Sequence, residues 1–212
     1  MKKGRLYDRQ EIELIAKSAI GKSLNDILNE ELVTIEDKEA NKGGFGQLIE
    51  KYLFGMDNNS DSEPDFMPAG IELKVTPYKR IKKNELSAKE RLVLNIIDYE
   101  TEYKNEFRSS HFWYKNNKIQ LLWYLWEAGK DKKDLKITHE KLLELSKNED
   151  LKQIEEDWNL IIKKIREGKA HEISEADTMY LGACSKGANA LSTRKQPFSD
   201  IPAMQRAFCF KN

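Results

Sequence analysis

One stretch of this 212-residue chain concentrates residues that could do chemistry together: Glu63-Pro64-Asp65-Phe66-Met67-Pro68-Ala69-Gly70-Ile71-Glu72-Leu73-Lys74-Val75-Thr76-Pro77. Asp65 ends a polar loop. Glu72 and Lys74 stand two apart in an extended, apolar-flanked segment, so their side chains share one face of a strand. Ile71, Leu73 and Val75 take the other face and can anchor it in a core. Two carboxylates can hold a hard cation such as Mg²⁺, which completes its shell with water and phosphate oxygen. Such an ion polarises a phosphodiester and lowers the pKa of a bound water. Lys74 would add a compact positive charge where negative charge develops. The predicted chemistry is metal-assisted phosphodiester hydrolysis by Asp65, Glu72 and Lys74. The plainer alternative for Glu72 and Lys74 is an ion-paired strand face.

The elements around this stretch must position it. Residues 7–19 carry Ile12, Ile15, Ala16 and Ala19 at helical spacing, and residues 22–30 carry Leu24, Ile27 and Leu28. Residues 34–44 read as loop. From Gly44 to about Phe54, the residues Phe45, Leu48, Ile49, Tyr52 and Leu53 form a helical apolar stripe, and Gly55 ends it. Glu50 lies at the border of that stripe and could bring a further carboxylate to the metal or orient a water. Residues 57–64 read as loop, 70–76 as a strand and 91–97 as another. Residues 119–126 are apolar on almost both faces, as a central strand covered on both sides would be. A strand is expected over 133–138, a helix over 151–167 and a short strand over 178–182. Residues 185–202, rich in Ser, Gly, Asn and Pro, read as one long loop before a strand at 206–210. Helices followed by mostly strands suggest an α/β or α+β fold with a mixed sheet, and the length suits a single domain over 1–212.

Composition narrows the classes. Hydrophobic residues make up 39% and charged residues 34% of the chain, so a polar-surfaced soluble protein is expected and disorder is not. No run approaches the ~18 apolar residues of a membrane span. The start, Met1-Lys2-Lys3-Gly4, leads into no apolar run, so a secretory signal is not expected. Cys184 and Cys209 lack ligand spacing and fit a reducing cytoplasm. His111, His139 and His171 are scattered, so a zinc or histidine-metal site is not expected. Gly43, Gly44 and Gly46 are followed by no Gly-Lys-Ser/Thr, which argues against a nucleotide cradle. Trp113, Trp123, Trp126 and Trp158 read as core residues. The 36 basic and 36 acidic residues cancel, yet bases gather in 74–91 and from Lys186 onward. A neutral chain can therefore still present a basic face, although solvated surface is the plainer reading of such runs taken alone.

With these residues in view, the chain resembles the MutH-like endonuclease family, which joins a mismatch-repair nicking enzyme with GATC-cutting restriction enzymes of staphylococcal type. The resemblance rests on Lys42 to Gly55 (Lys-Gly-Gly-Phe-Gly-Gln-Leu-Ile-Glu-Lys-Tyr-Leu-Phe-Gly) and on the catalytic stretch. It continues through Glu156-Asp157-Trp158, Lys186-Gly187-Ala188-Asn189-Ala190 and Arg206-Ala207-Phe208-Cys209-Phe210-Lys211. Arg91 to Ile97 and Cys184 to Ser192 are similar to the restriction branch. The resemblance implies a restriction-endonuclease-like core of the PD-(D/E)xK type, a mixed sheet flanked by helices. It implies Mg²⁺, replaceable by Mn²⁺, bound by Asp65, Glu72 and Glu50, and catalytic roles for those residues with Lys74 and Lys115. It places Lys42 on the DNA side and gives the loop around Lys186 the task of reading GATC in the major groove, where a Lys or Arg can donate to guanine O6 and N7. Asn189 could read adenine or hold that loop, and Arg194 could contact phosphate.

The resemblance implies a cytoplasmic type II restriction endonuclease acting on double-stranded DNA, as a dimer in one arrangement. A mismatch-repair nicking enzyme is the alternative, and a non-catalytic DNA-binding effector domain is the alternative from another class. The family continues past the residue matching Asn212, and restriction members carry a second, catalytically dead effector domain. The chain is therefore expected to be the N-terminal catalytic part of a longer protein. Cys209 stands where the family's repair branch has a tyrosine implicated in sensing adenine methylation. Its small side chain suggests cleavage indifferent to that methyl group.

Overall fold

A computed structural model describes residues 7–30, 44–56, 62–82, 85–187, 189 and 191–211. The chain divides into two compact units, Met1–Glu90 with Lys118–Leu143, and Arg91–Asn117 with Glu144–Asn212. No described helix is long and apolar enough to cross a membrane.

The first unit begins with α1 (Arg9–Ser18), α2 (Leu24–Glu30) and α3 (Phe45–Tyr52). Asp8 starts α1 through a reciprocal cap. Its side chain accepts the Glu11 N–H at 2.8 Å, and Glu11 accepts the Asp8 N–H at 3.2 Å. Ser23 and Asp26 cap α2 in the same way, and these bonds from Ser23 hold the Asp26 carboxyl below its ordinary pKa. The stripes predicted for all three helices are the buried ones: Ile12 and Ala16, then Leu24, Ile27 and Leu28, then Phe45, Leu48 and Ile49. Gly55, at φ +64°, follows α3 in the left-handed conformation expected of a helix-terminating glycine.

These helices share one apolar core with the sheet β2-β1-β4-β5, built from β1 (Glu72–Arg80), β2 (Leu86–Ala88), β4 (Lys118–Leu125) and β5 (Ile137–Glu144). β1 runs parallel to β4, with Glu72 beside Ile119 and Lys74 beside Leu121, and antiparallel to β2. The sheet is therefore mixed, as expected. Ile119, Gln120, Leu121 and Leu122 are all buried, which is why 119–126 is apolar on successive residues. The strand expected over 133–138 begins later, at Ile137, because Lys132–Asp134 turn as a 3-10 helix started by the Asp131 side chain.

The second unit holds the antiparallel sheet β3-β9-β6, with β3 (Leu92–Ile96), β6 (Leu181–Ser185) and β9 (Arg206–Phe210). It also holds α4 (His111–Asn116) and α5 (Leu151–Arg166). Ile154, Trp158, Ile161, Ile162 and Ile165 form the buried stripe of α5. Between them Asp157 is buried and accepts the N–H groups of Met179, Tyr180 and Leu181 at 2.9, 2.6 and 2.9 Å, tying the entry of β6 to the helix. Of the four tryptophans only Trp158 is fully buried, and Trp126 is exposed under the Lys89 ammonium, 4.8 Å from its ring centre.

The long loop expected over 185–202 is corrected. Residues from Thr193 onward form a hairpin of β7 (Thr193–Gln196) and β8 (Ser199–Met204). Its turn is pinned within the same unit. Gln196 accepts the Ala170 N–H at 2.7 Å and donates to Ile201 O at 2.5 Å and to His171 Nδ1 at 2.9 Å. Phe198, at φ +62°, sets its backbone against Gly168, where an added Cβ would lie 2.6 Å from the Phe198 carbonyl oxygen.

Candidate active site

The residues that bring Asp65 to Glu72 form a tight reversal. Phe66 is buried beside the rings of Tyr7 and Phe54, with centroids 5.8 and 5.0 Å away. Its N–H donates to Ile71 O at 2.9 Å and its carbonyl accepts the Gly70 N–H at 2.9 Å. Gly70, at φ +65°, supplies the conformation that closes this turn. The reversal carries Asp65 back along the start of β1, where Oδ2 accepts the Leu73 N–H at 2.9 Å.

On β1, Glu72 is 2% exposed. The Lys74 ammonium donates to its Oε1 at 2.7 Å, so the shared face read from the two-residue spacing is real. Leu73 on the opposite face is buried in the core. The three groups thus gather within one short segment. Leu73 engages one oxygen of Asp65 and Lys74 one oxygen of Glu72, and a carboxylate has roughly four lone-pair sites in all. Two carboxylates of this kind are the hard-oxygen set that Mg²⁺ accepts, since it keeps waters for its remaining positions. The donor chemistry fits the ion.

Glu50 lies in the last turn of α3 and is half-buried. α3 packs on the face of β1 opposite Glu72 and Lys74: a Cβ at Gly46 would lie 3.7 Å from Val75 Cβ. Among the described residues, no three His, Cys, Asp or Glu side chains are gathered closely enough to hold a metal, so Glu50 does not join Asp65 and Glu72 in a cluster.

Of the remaining predicted residues, Lys115, Lys186, Asn189 and Arg194 belong to the second unit. Lys115 is half-buried in the last turn of α4, in the second unit, on a helix capped by Ser110 accepting the Trp113 N–H at 3.0 Å. Lys42 falls outside the described residues. Lys186 and Asn189 are exposed in the segment after β6. Asn189 Oδ1 accepts the Leu191 N–H at 2.9 Å. Arg194 is exposed on β7, its Nε–H donating to Gln205 Oε1 at 3.1 Å. Gln205 carried no signal in the sequence, because its partners are set by the hairpin.

The reason for expecting indifference to adenine methylation is corrected. Cys209 is fully buried on β9 between Val93 and Gly182, where its side chain meets other protein atoms instead of a base. The neighbouring Cys184 thiol and burial push the Cys209 thiol above its ordinary value, while Cys209 draws Cys184 below its own. Neither cysteine is in a disulfide.

Residues 54–157 match the family described as DNA mismatch repair enzyme MutH, and the chain belongs to the MutH-like endonuclease family, with its restriction-endonuclease-like fold. Among individual relatives, it is 44% identical over 205 residues to the type II restriction enzyme Sau3AI of Staphylococcus aureus, covering 96% of this chain and 41% of that protein. It is 26% identical over 163 residues to the DNA mismatch repair protein MutH of Shigella boydii and of Escherichia coli, covering 75% of this chain and 67% of each. The chain thus spans about two fifths of the restriction enzyme it matches. Dependence on a divalent metal is typical of this family.

Proposed function

We propose that this chain is the catalytic domain of a magnesium-dependent type II restriction endonuclease that hydrolyses phosphodiester bonds of double-stranded DNA at GATC. The observation that carries the reading is the arrangement on β1: Asp65 clamped to the Leu73 N–H, and Glu72 paired to Lys74 on the neighbouring face. GATC comes from the family resemblance, and the 44% identity to a type II restriction enzyme favours restriction over nicking. The retained Asp65, Glu72 and Lys74 argue against a non-catalytic effector module.

When bound, Mg²⁺, or Mn²⁺ in its place, supplies Lewis acidity toward the scissile phosphate and acidity to a bound water. Asp65 and Glu72 are its proposed protein ligands, and Glu50, on the other face of β1, is not one of them. The Leu73 N–H fixes the direction of the Asp65 carboxylate without using a side chain. Lys74, held by Glu72, presents a preorganised cation to the phosphate, where it favours the more negative transition state. Lys115, Lys42, Lys186 and Arg194 are proposed as contacts to the duplex, with Asn189 shaping the loop. The full protein is proposed to be longer, with a C-terminal effector domain, to act in the cytoplasm and to cut as a dimer on DNA.

The test is cleavage of a plasmid bearing GATC sites, in Mg²⁺ and in Ca²⁺, with wild type and Lys74→Ala. Double-strand cuts in Mg²⁺ by wild type alone are expected. Nicks alone would assign the repair activity. Binding without cutting by both proteins would assign an effector. Parallel plasmids with methylated and unmethylated adenine report methyl discrimination directly.

A further inference from the structure

Between β8 and β9 the chain passes through one residue that belongs to neither strand, Gln205. Its N–H donates to Ser192 O at 2.8 Å, and its carbonyl accepts the Lys186 N–H at 2.8 Å. Its Oε1 accepts Arg194 Nε–H at 3.1 Å. Lys186 and Ser192 are the two ends of the loop between β6 and β7, so the backbone of Gln205 closes that loop. Gly187, at φ +135°, lets the loop double back, since a Cβ there would lie 2.4 Å from Ser192 Cβ. The side chain of Gln205 then reaches the exposed cation just beyond it. One residue therefore holds the backbone of Lys186 and the guanidinium of Arg194.

We propose that Gln205 is a positioning residue for DNA recognition, fixing how the guanidinium of Arg194 is presented beside Lys186. This rests on the DNA-binding reading above. A guanidinium has five N–H donors in a rigid plane. With Nε–H engaged by Gln205, the side edge of this exposed guanidinium is used, which leaves its end, the Nη1 and Nη2 pair, for a ligand. That end makes two parallel bonds to a phosphate or to guanine O6 and N7. An arginine held in its bound orientation loses less freedom on binding than one that is free to swing. Replacing the Gln205 side chain leaves both backbone bonds in place, so closure of the loop and orientation of Arg194 are separable.

The experiment measures binding of a fluorescent GATC duplex and a scrambled duplex in Ca²⁺, across a salt series. The proteins are wild type, Gln205→Met, Arg194→Ala, Arg194→Lys and the Gln205→Met/Arg194→Ala double variant. Arg194→Ala is expected to weaken binding roughly tenfold, within the range of one bidentate contact. Gln205→Met is expected to weaken it several-fold with an unchanged melting temperature, and the double variant to bind no more weakly than Arg194→Ala. Arg194→Lys, which keeps the charge and removes the Nε donor, should reproduce the Gln205→Met loss. A salt slope shallower by about 0.9 in Arg194→Ala marks a phosphate partner. An unchanged slope with a smaller gap between GATC and scrambled DNA marks guanine. Wild-type binding by Gln205→Met or Arg194→Lys, or losses that multiply in the double variant, would overturn the proposal. Wild-type binding by Arg194→Ala would instead remove Arg194 from the DNA interface and leave the catalytic reading standing.

Discussion

The Leu73 N–H donates to Asp65 Oδ2 at 2.9 Å, so the carboxylate is aimed by the backbone of the strand that carries Glu72 and Lys74. Asp65→Asn keeps an oxygen that accepts this bond and removes the charge. The variant should unfold within about 0.5 kcal/mol of wild type, as a change that breaks no named interaction does. Cleavage in Mg²⁺ should fall by more than about 10²-fold, the scale of losing one preorganised electrostatic group. Urea unfolding and plasmid cleavage on the same preparation check both halves.

The Glu72–Lys74 pair is 2.7 Å long with side chains 3% and 20% exposed. Lys74→Met removes the ammonium from beside a buried carboxylate and should cost about 3 kcal/mol, the lower end for breaking one partner of an interior ion pair. Adding Glu72→Gln should recover most of that stability while leaving cleavage abolished. Full recovery of cleavage in the double variant would separate the pair from the chemistry.

Glu102 lies in a 3-10 turn of the second unit, 1% exposed. Burial raises its pKa, against the Phe112 N–H and Trp158 Nε1–H bonds to its Oε1 and the nearby His111, all of which favour the charged form; Asp98 acts with burial. The folded state thus binds this proton more tightly than the unfolded state. Its contribution to stability is fully present below the unfolded carboxylate pKa and is lost as pH rises through the raised, folded value. Glu102→Gln keeps the Oε1 acceptor and should remove this segment of the stability-against-pH curve, leaving urea midpoints flatter across mildly acidic to neutral pH. Identical curves for the two proteins would contradict the assignment.

Cys209 is fully buried and faces Gly182 across β6 and β9, where a Cβ added to Gly182 would already lie 3.5 Å from its sulfur. Cys209→Tyr therefore overfills a packed strand pair. It should destabilise the protein by about 1–3 kcal/mol, measured by urea unfolding. Discrimination against methylated adenine, assayed on the paired plasmids, should not be gained without that loss.

Much of this was legible because it depends on local periodicity. Ile12 and Ala16, Phe45, Leu48 and Ile49, and Ile154 to Ile165 announced three helices by their spacing. The two-residue spacing of Glu72 and Lys74 announced their shared face. Asp65 was named from its loop, but its clamp was hidden, because a backbone N–H has no letter of its own. The hairpin of β7 and β8 was hidden for another reason. Thr193, Arg194 and Lys195 are all exposed, so no apolar alternation marks the strand, and its order comes from Gln196 and Phe198 meeting residues 168–171. α4 was missed because His-Phe-Trp-Tyr shows no helical stripe, and its start depends on the Ser110 cap. Gln205 acts through partners on either side of that hidden hairpin.

β1 and β4 lie side by side and parallel, yet the chain between them leaves the first unit to build β3 and α4 before it returns. During synthesis the strand bearing Glu72 and Lys74 therefore leaves the ribosome well before its parallel neighbour. Pairing across such an interval is slow, because the intervening segment must be closed into a loop before any contact repays it. The nascent chain thus carries Glu72 and Lys74 through a period in which the strand that flanks them in the folded sheet has yet to be made.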